Sequence, residues 1–118
     1  MKLMHAGLIV SDLERAALFY EEILGLTRIT RPELGFEGLW YGLEGGQQIH
    51  LMQLENPYAG CQRPAHGGRD NHIALQSGEF DQVRQRLDAA NIPFTLSKSG
   101  RQALFFRDPD GNTIEVTA

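Results

Sequence analysis

The chain has 118 residues, a length suited to one domain with a real core. Its 42% hydrophobic and 22% charged content is that of an ordinary globular protein, and a net charge of -4 disfavours nucleic-acid and anionic-membrane partners. No apolar run approaches the ~20 residues of a membrane span, and Cys61 is alone, so no intrachain disulfide forms. With no signal-like stretch before His5, these features point to a cytoplasmic protein.

Residues 2–10 alternate as a strand, with Met4, Ala6, Leu8 and Val10 on one face and Leu3, His5, Gly7 and Ile9 on the other. Ser11-Asp12-Leu13-Glu14 reads as a capping box with Ser11 as N-cap. It opens a helix to about Leu24, whose stripe is Leu13, Ala16, Ala17, Phe19, Tyr20, Ile23 and Leu24, stopped by Gly25. Strands follow at 26–30, 37–43 and 47–54, the last two joined at Gly45-Gly46. Residues 55–70 lack periodicity and read as a connection, with Gly67-Gly68 a flexible turn and His66 a solvated side chain.

The second half repeats the order: a strand at 71–76, a helix on Phe80, Val83, Leu87 and Ala90 stopped by Asn91 and Pro93, then strands at 94–97, 102–107 and 113–117. Pro109 and Gly111 make the last turn. His5 and the first helix match His72 and the second helix at an offset of 67. Trp40, Tyr41, Gly46, Ile49 and His50 match Phe105, Phe106, Gly111, Ile114 and Glu115 at an offset of 65. The expected fold is therefore α+β, two tandem βαβββ modules (1–54 and 71–118) of eight mixed strands with the helices over their apolar face.

Strand parity places His5, His50, His72 and Glu115 on the face opposite the most apolar strand residues. Three imidazoles and one carboxylate suit a borderline divalent metal such as Zn, Ni, Co, Mn or Fe, among which the sequence does not choose. Which face Trp40 and Phe105 take depends on whether each hairpin carries a bulge, and on the apolar face they are core.

The segments His5–Leu13, Phe19-Tyr20, Leu24-Gly25-Leu26 and Phe106–Glu115 resemble the vicinal oxygen chelate superfamily, which includes glyoxalase I, extradiol dioxygenases, fosfomycin-resistance transferases and bleomycin-binding proteins. The resemblance covers essentially the whole chain and implies a cup-shaped eight-stranded sheet with helices on its outer face, a metal held by His5, His50, His72 and Glu115, a cavity lined by Trp40 and Phe105, a small-molecule substrate and a homodimer. It implies a glyoxalase-like lyase or isomerase acting through an enediolate, with Glu115 as the proton shuttle. The alternatives are a non-catalytic metal- or ligand-binding module of the bleomycin-resistance type and a dioxygenase-like oxygenase. Two positions depart from family patterns. His50 stands where short bacterial glyoxalases carry a carboxylate, and Gly7 stands where fosfomycin transferases carry a threonine.

Overall fold

A computed structural model describes residues 1–118. Their contacts divide into two compact units, Met1–Ala59 and Gly60–Ala118.

In the first unit, β1 (His5–Val10) leads into α1 (Leu13–Ala17), which continues as a π-helical segment, Leu18–Ile23. β2 (Thr27–Ile29), β3 (Gly38–Gly42) and β4 (Gln48–Gln53) complete a four-stranded sheet in the order β1-β4-β3-β2. β1 runs parallel to β4, and the other pairs are antiparallel. The helical stripe buries Ala16, Ala17, Phe19, Tyr20, Ile23 and Leu24, and the Tyr20 ring stacks on Tyr41 of β3 at 5.9 Å. That contact puts the helical segment over the face that carries Tyr41, Ile49 and Leu51, all fully buried. Burying this apolar stripe against the sheet supplies most of the unit's stabilisation.

The helix start differs from the capping box. Asp12 is the N-cap: its backbone is extended and its Oδ1 accepts from the Arg15 amide at 3.0 Å, while Ser11 Oγ accepts from the Arg15 guanidinium. With Leu13 as the first helical residue, Glu14 falls one position short of the place a capping box needs. The stop is as expected, because Gly25 has φ 72° and the Leu26 amide donates back to the Tyr20 carbonyl.

In the second unit, β5 (His72–Gln76), α2 (Phe80–Ala89), β6 (Phe94–Leu96), β7 (Ala103–Arg107) and β8 (Thr113–Thr117) form the order β5-β8-β7-β6. Asn91, at φ 54°, ends α2. The pairing repeats that of the first unit. His5 lies opposite Gln48 and Gly7 opposite His50; His72 lies opposite Thr113 and Ala74 opposite Glu115. Trp40 pairs with His50, and Phe105 with Glu115. The turn glycines repeat at the same offset, Gly35 with Gly100 and Gly46 with Gly111, all at positive φ. The eight expected strands are thus present as two mixed sheets of four with one register. No helix is long and apolar enough to cross a membrane.

The stretch 55–70 is more ordered than its composition suggests. Gly67–Arg69 is a 3-10 turn, and Gly67 is buried against the second sheet. A Cβ there would lie 2.7 Å from Thr113 Cγ2 and 3.0 Å from Phe105 Cβ, so glycine is required for close approach rather than for flexibility. Gly67→Ala should therefore destabilise the protein by about 1–3 kcal/mol through overpacking. Gly78→Ala, where a Cβ meets open space, should change stability by less than about 0.5 kcal/mol. Paired thermal melts of the two variants check this.

Candidate metal centre

In the first unit the shared face of β1, β4 and β3 carries a column of three rings. His50 stacks on Trp40 at 3.9 Å with planes 3° apart, and His5 stacks on His50 at 4.2 Å and 14°. Unbroken pairing of β3 with β4 puts Trp40 beside His50 and away from the buried face of Tyr41. The alternative left open by the sequence is thereby decided for Trp40: the hairpin has no bulge, and the indole shares the histidine face. His50 Nε2 lies 2.7 Å from Gln48 Oε1. Burial, and then the nearby charges of His5 and Arg31, lower the His50 pKa, which favours the neutral imidazole a metal ligand needs.

In the second unit the equivalent face is ionic. The Glu115 side chain is only 4% exposed, although β8 alternates as a half-solvated strand would. Its Oε2 lies 3.2 Å from His72 Nε2 and its Oε1 accepts from Arg101 Nη2 at 3.0 Å. His72 Nδ1 lies 2.8 Å from the Asp70 carbonyl oxygen. A carbonyl can only accept, so Nδ1 carries the hydrogen, and the lone pair of a neutral ring sits on Nε2, facing the carboxylate. Two electron-rich atoms at that distance require a proton or a cation between them.

Phe105 belongs to this face as Trp40 does to its own. Its ring meets His72 edge-on at 5.4 Å and His66 at 5.0 Å. It also lines a cavity of about 340 Å³ with Thr95, Gly67 and Pro93. His66 is not a solvated loop residue as expected: Nδ1 lies 2.7 Å from Thr95 Oγ1, and the ring rests against the Gly68 backbone.

Asp70 fastens the 63–70 segment to this site. Its Oδ2 accepts from Arg63 at 3.0 Å, from Arg107 at 2.6 Å and from Thr113 at 3.2 Å. Arg107 also donates to Thr113 Oγ1 and to the Pro64 and Gly111 carbonyls. Sequence reading missed Arg101, His66 and Asp70. The only available signal was their residue type near the matched strands, since each sits in a segment without period.

Neither unit alone gathers three metal-ligand side chains. Each brings a pair from its first and last strands, His5 with His50 and His72 with Glu115. Imidazole nitrogen and carboxylate oxygen are donor types that a borderline divalent ion accepts. The second pair is also arranged for one, with the His72 tautomer fixed and its lone pair aimed at the carboxylate. The first pair is stacked face to face, so its in-plane lone pairs do not meet at one point, and ligation by both requires one ring to leave the stack.

A duplicated βαβββ chain with histidines on both first strands and a glutamate on the last defines a class of metal-chelating folds. Comparison with known proteins gives the same class. Residues 2–116 match the Glyoxalase/Bleomycin resistance protein/Dioxygenase superfamily, and the chain belongs to it. It is 33% identical over 120 residues to Glyoxylase I 4 of Arabidopsis thaliana, covering 97% of this chain and 68% of that one. It is 30% identical to glutathione transferase FosA of Serratia marcescens, covering 97% and 78%. Among solved structures it superposes on a glyoxalase family protein from Bacillus anthracis with a TM-score of 0.74, 25% identity and coverage of 98% and 93%. The superfamily includes divalent-metal enzymes acting on small molecules.

Burial alone would raise the Asp70 carboxyl, but hydrogen bonds from Arg107, Arg63 and the Asn71 amide outweigh it and hold the pKa at about 2, against an ordinary 3.8. A depressed carboxylate pKa adds stability above the unfolded value, and that stability is lost as pH falls through the folded one. Stability of the wild type should therefore drop as pH falls from 3.8 towards about 2. Asp70→Asn should flatten that part of the curve and lower stability at neutral pH. Urea unfolding of both proteins across this range measures it.

Proposed function

We propose that the protein is a divalent-metal-dependent enzyme of the glyoxalase type, a lyase or isomerase acting on a small substrate with two adjacent oxygens. His5 and His50 from one unit and His72 and Glu115 from the other form its ligand set. The observation that carries the reading is the His72–Glu115 pair, in which the backbone holds Nδ1 and Nε2 faces a buried carboxylate at a distance that a shared cation would bridge. The name and 33% identity of the Arabidopsis relative support the glyoxalase type.

When bound, the metal supplies Lewis-acid polarisation of the substrate oxygens. The chain's residues do the rest. Glu115 is the one carboxylate among the four, the group type suited to take a proton from carbon and return it. His72 is held by the Asp70 carbonyl, so it presents Nε2 without rotating. Trp40 and Phe105 offer aromatic walls beside the two pairs. His50, where a second carboxylate would serve as a second base, leaves proton transfer to Glu115 alone. On this reading the protein works as a homodimer in the cytoplasm, and the single exposed Cys61 is compatible with a reducing compartment.

Titration with Ni²⁺, Zn²⁺ or Mn²⁺ should give one tightly bound ion per chain, and His72→Ala and Glu115→Ala should each weaken it by more than about a hundredfold. The metal-loaded protein should convert the methylglyoxal–glutathione adduct, and Glu115→Gln should slow turnover by about 10²–10⁴-fold. Metal binding without turnover across α-ketoaldehydes would favour the binding-module reading. Unchanged metal content in both alanine variants would end the site assignment.

A further inference from the structure

Glu115 is shared by two unlike neighbours. One carboxylate oxygen faces His72, and the other accepts from Arg101 at 3.0 Å. Arg101 belongs to no regular element. It lies in the turn between β6 and β7, just after Gly100 at φ 82°, and its side chain is 60% exposed. Its guanidinium Nε donates to Ser99 Oγ at 3.1 Å, and Ser99 Oγ lies 2.8 Å from Ser97 Oγ. Its backbone carbonyl accepts from the Ala103 amide, so the turn is fixed while the guanidinium remains at the surface.

The duplication supplies a comparison. Gly35 and Gly100 occupy equivalent turn positions at φ 80° and 82°, so Phe36 of the first unit is the counterpart of Arg101. Phe36 carries no charge; its ring lies under Arg31 and its carbonyl accepts from the same guanidinium. The turn geometry therefore does not require an arginine. Arg101 stands in the unit that also holds the buried carboxylate.

A buried carboxylate needs a counter-charge, and a guanidinium is the strongest the chain can offer. A divalent cation on Glu115 would take over that charge and repel Arg101. The released side chain would then present a planar fork of donors, matched to a carboxylate or a phosphate, at the rim of the site.

We propose that Arg101 is the substrate-recognition residue of this site: it neutralises Glu115 until a metal arrives, then holds an oxyanion on the substrate beside the chelating oxygens. This rests on the metal reading above and narrows the substrate class to anionic oxygen chelators. A single side chain would thereby couple metal loading to substrate selection.

The test uses Mn²⁺, followed by its EPR signal, and three α-hydroxy acids: lactate, malate with a second carboxylate, and 3-phosphoglycerate with a phosphate. Without any acid, Arg101→Ala should bind Mn²⁺ about three- to tenfold more tightly than wild type, because a competing cation is gone. The Mn²⁺-loaded wild type should prefer malate or 3-phosphoglycerate to lactate by about tenfold, and which it prefers tells carboxylate from phosphate. Arg101→Ala should lose that preference, and Arg101→Lys, which keeps the charge without the fork, should retain part of it. Circular dichroism of both variants confirms folding. Unchanged Mn²⁺ affinity in Arg101→Ala, or an unchanged preference among the acids, overturns the proposal. A wild type that takes up no Mn²⁺, Ni²⁺ or Zn²⁺ instead overturns the metal reading beneath it.

Discussion

Each unit depends on the parallel pairing of its first strand with its last. A hairpin cannot make that pair; it needs a crossover, and the helix together with two intervening strands supplies one. The pairing brings together residues far apart in sequence, and it does so in one register twice. In both units the last-strand site residue lies opposite a small residue, Gly7 for His50 and Ala74 for Glu115. The first-strand histidine sits two positions back on the same face. The two functional side chains approach diagonally, stacked in one unit and in contact in the other. A Cβ at position 7 would lie in ordinary contact with the Met52 methyl, at 3.4 Å.

Much of this was legible in the sequence because it follows from period. Alternation located the strands and the faces of His5, His50, His72 and Glu115. The repeat at offsets of 67 and 65 anticipated the register later found between Trp40 and His50 and between Phe105 and Glu115. What could not be read depends on distance rather than period. Trp40 and Phe105 stayed ambiguous because one bulged residue would have reversed their faces. Ser11 and Asp12 are both competent caps, and the choice turned on a one-residue difference in where helical dihedrals begin. Arg101, His66 and Asp70 lie in turns and connections, where no repeating pattern says which way a side chain reaches. Asp70 is the clearest case. It looked like one more polar residue before a strand, yet its carboxylate gathers two arginines and a threonine, and its carbonyl sets the tautomer of His72.

The two units are alike in backbone and unlike in chemistry. At the four matched positions the first unit places His5, His50, Trp40 and Phe36, and the second places His72, Glu115, Phe105 and Arg101. The first set is aromatic, and its rings stack, with His50 shifted towards its neutral form by burial. The second set is ionic, and its charges pair. Stacked rings tolerate desolvation, whereas a buried carboxylate needs a cation close at hand. Duplication has thus supplied the same positions twice, and substitution has divided the tasks between them. On the proposed reading, the charge-bearing and proton-transferring roles fall to the unit that holds Glu115, and the chemistry of the reaction is sought around the β5–β8 pair. On the same reading the first unit would contribute imidazole nitrogens and an aromatic wall, a setting in which a metal would keep more of its positive charge than beside a second carboxylate.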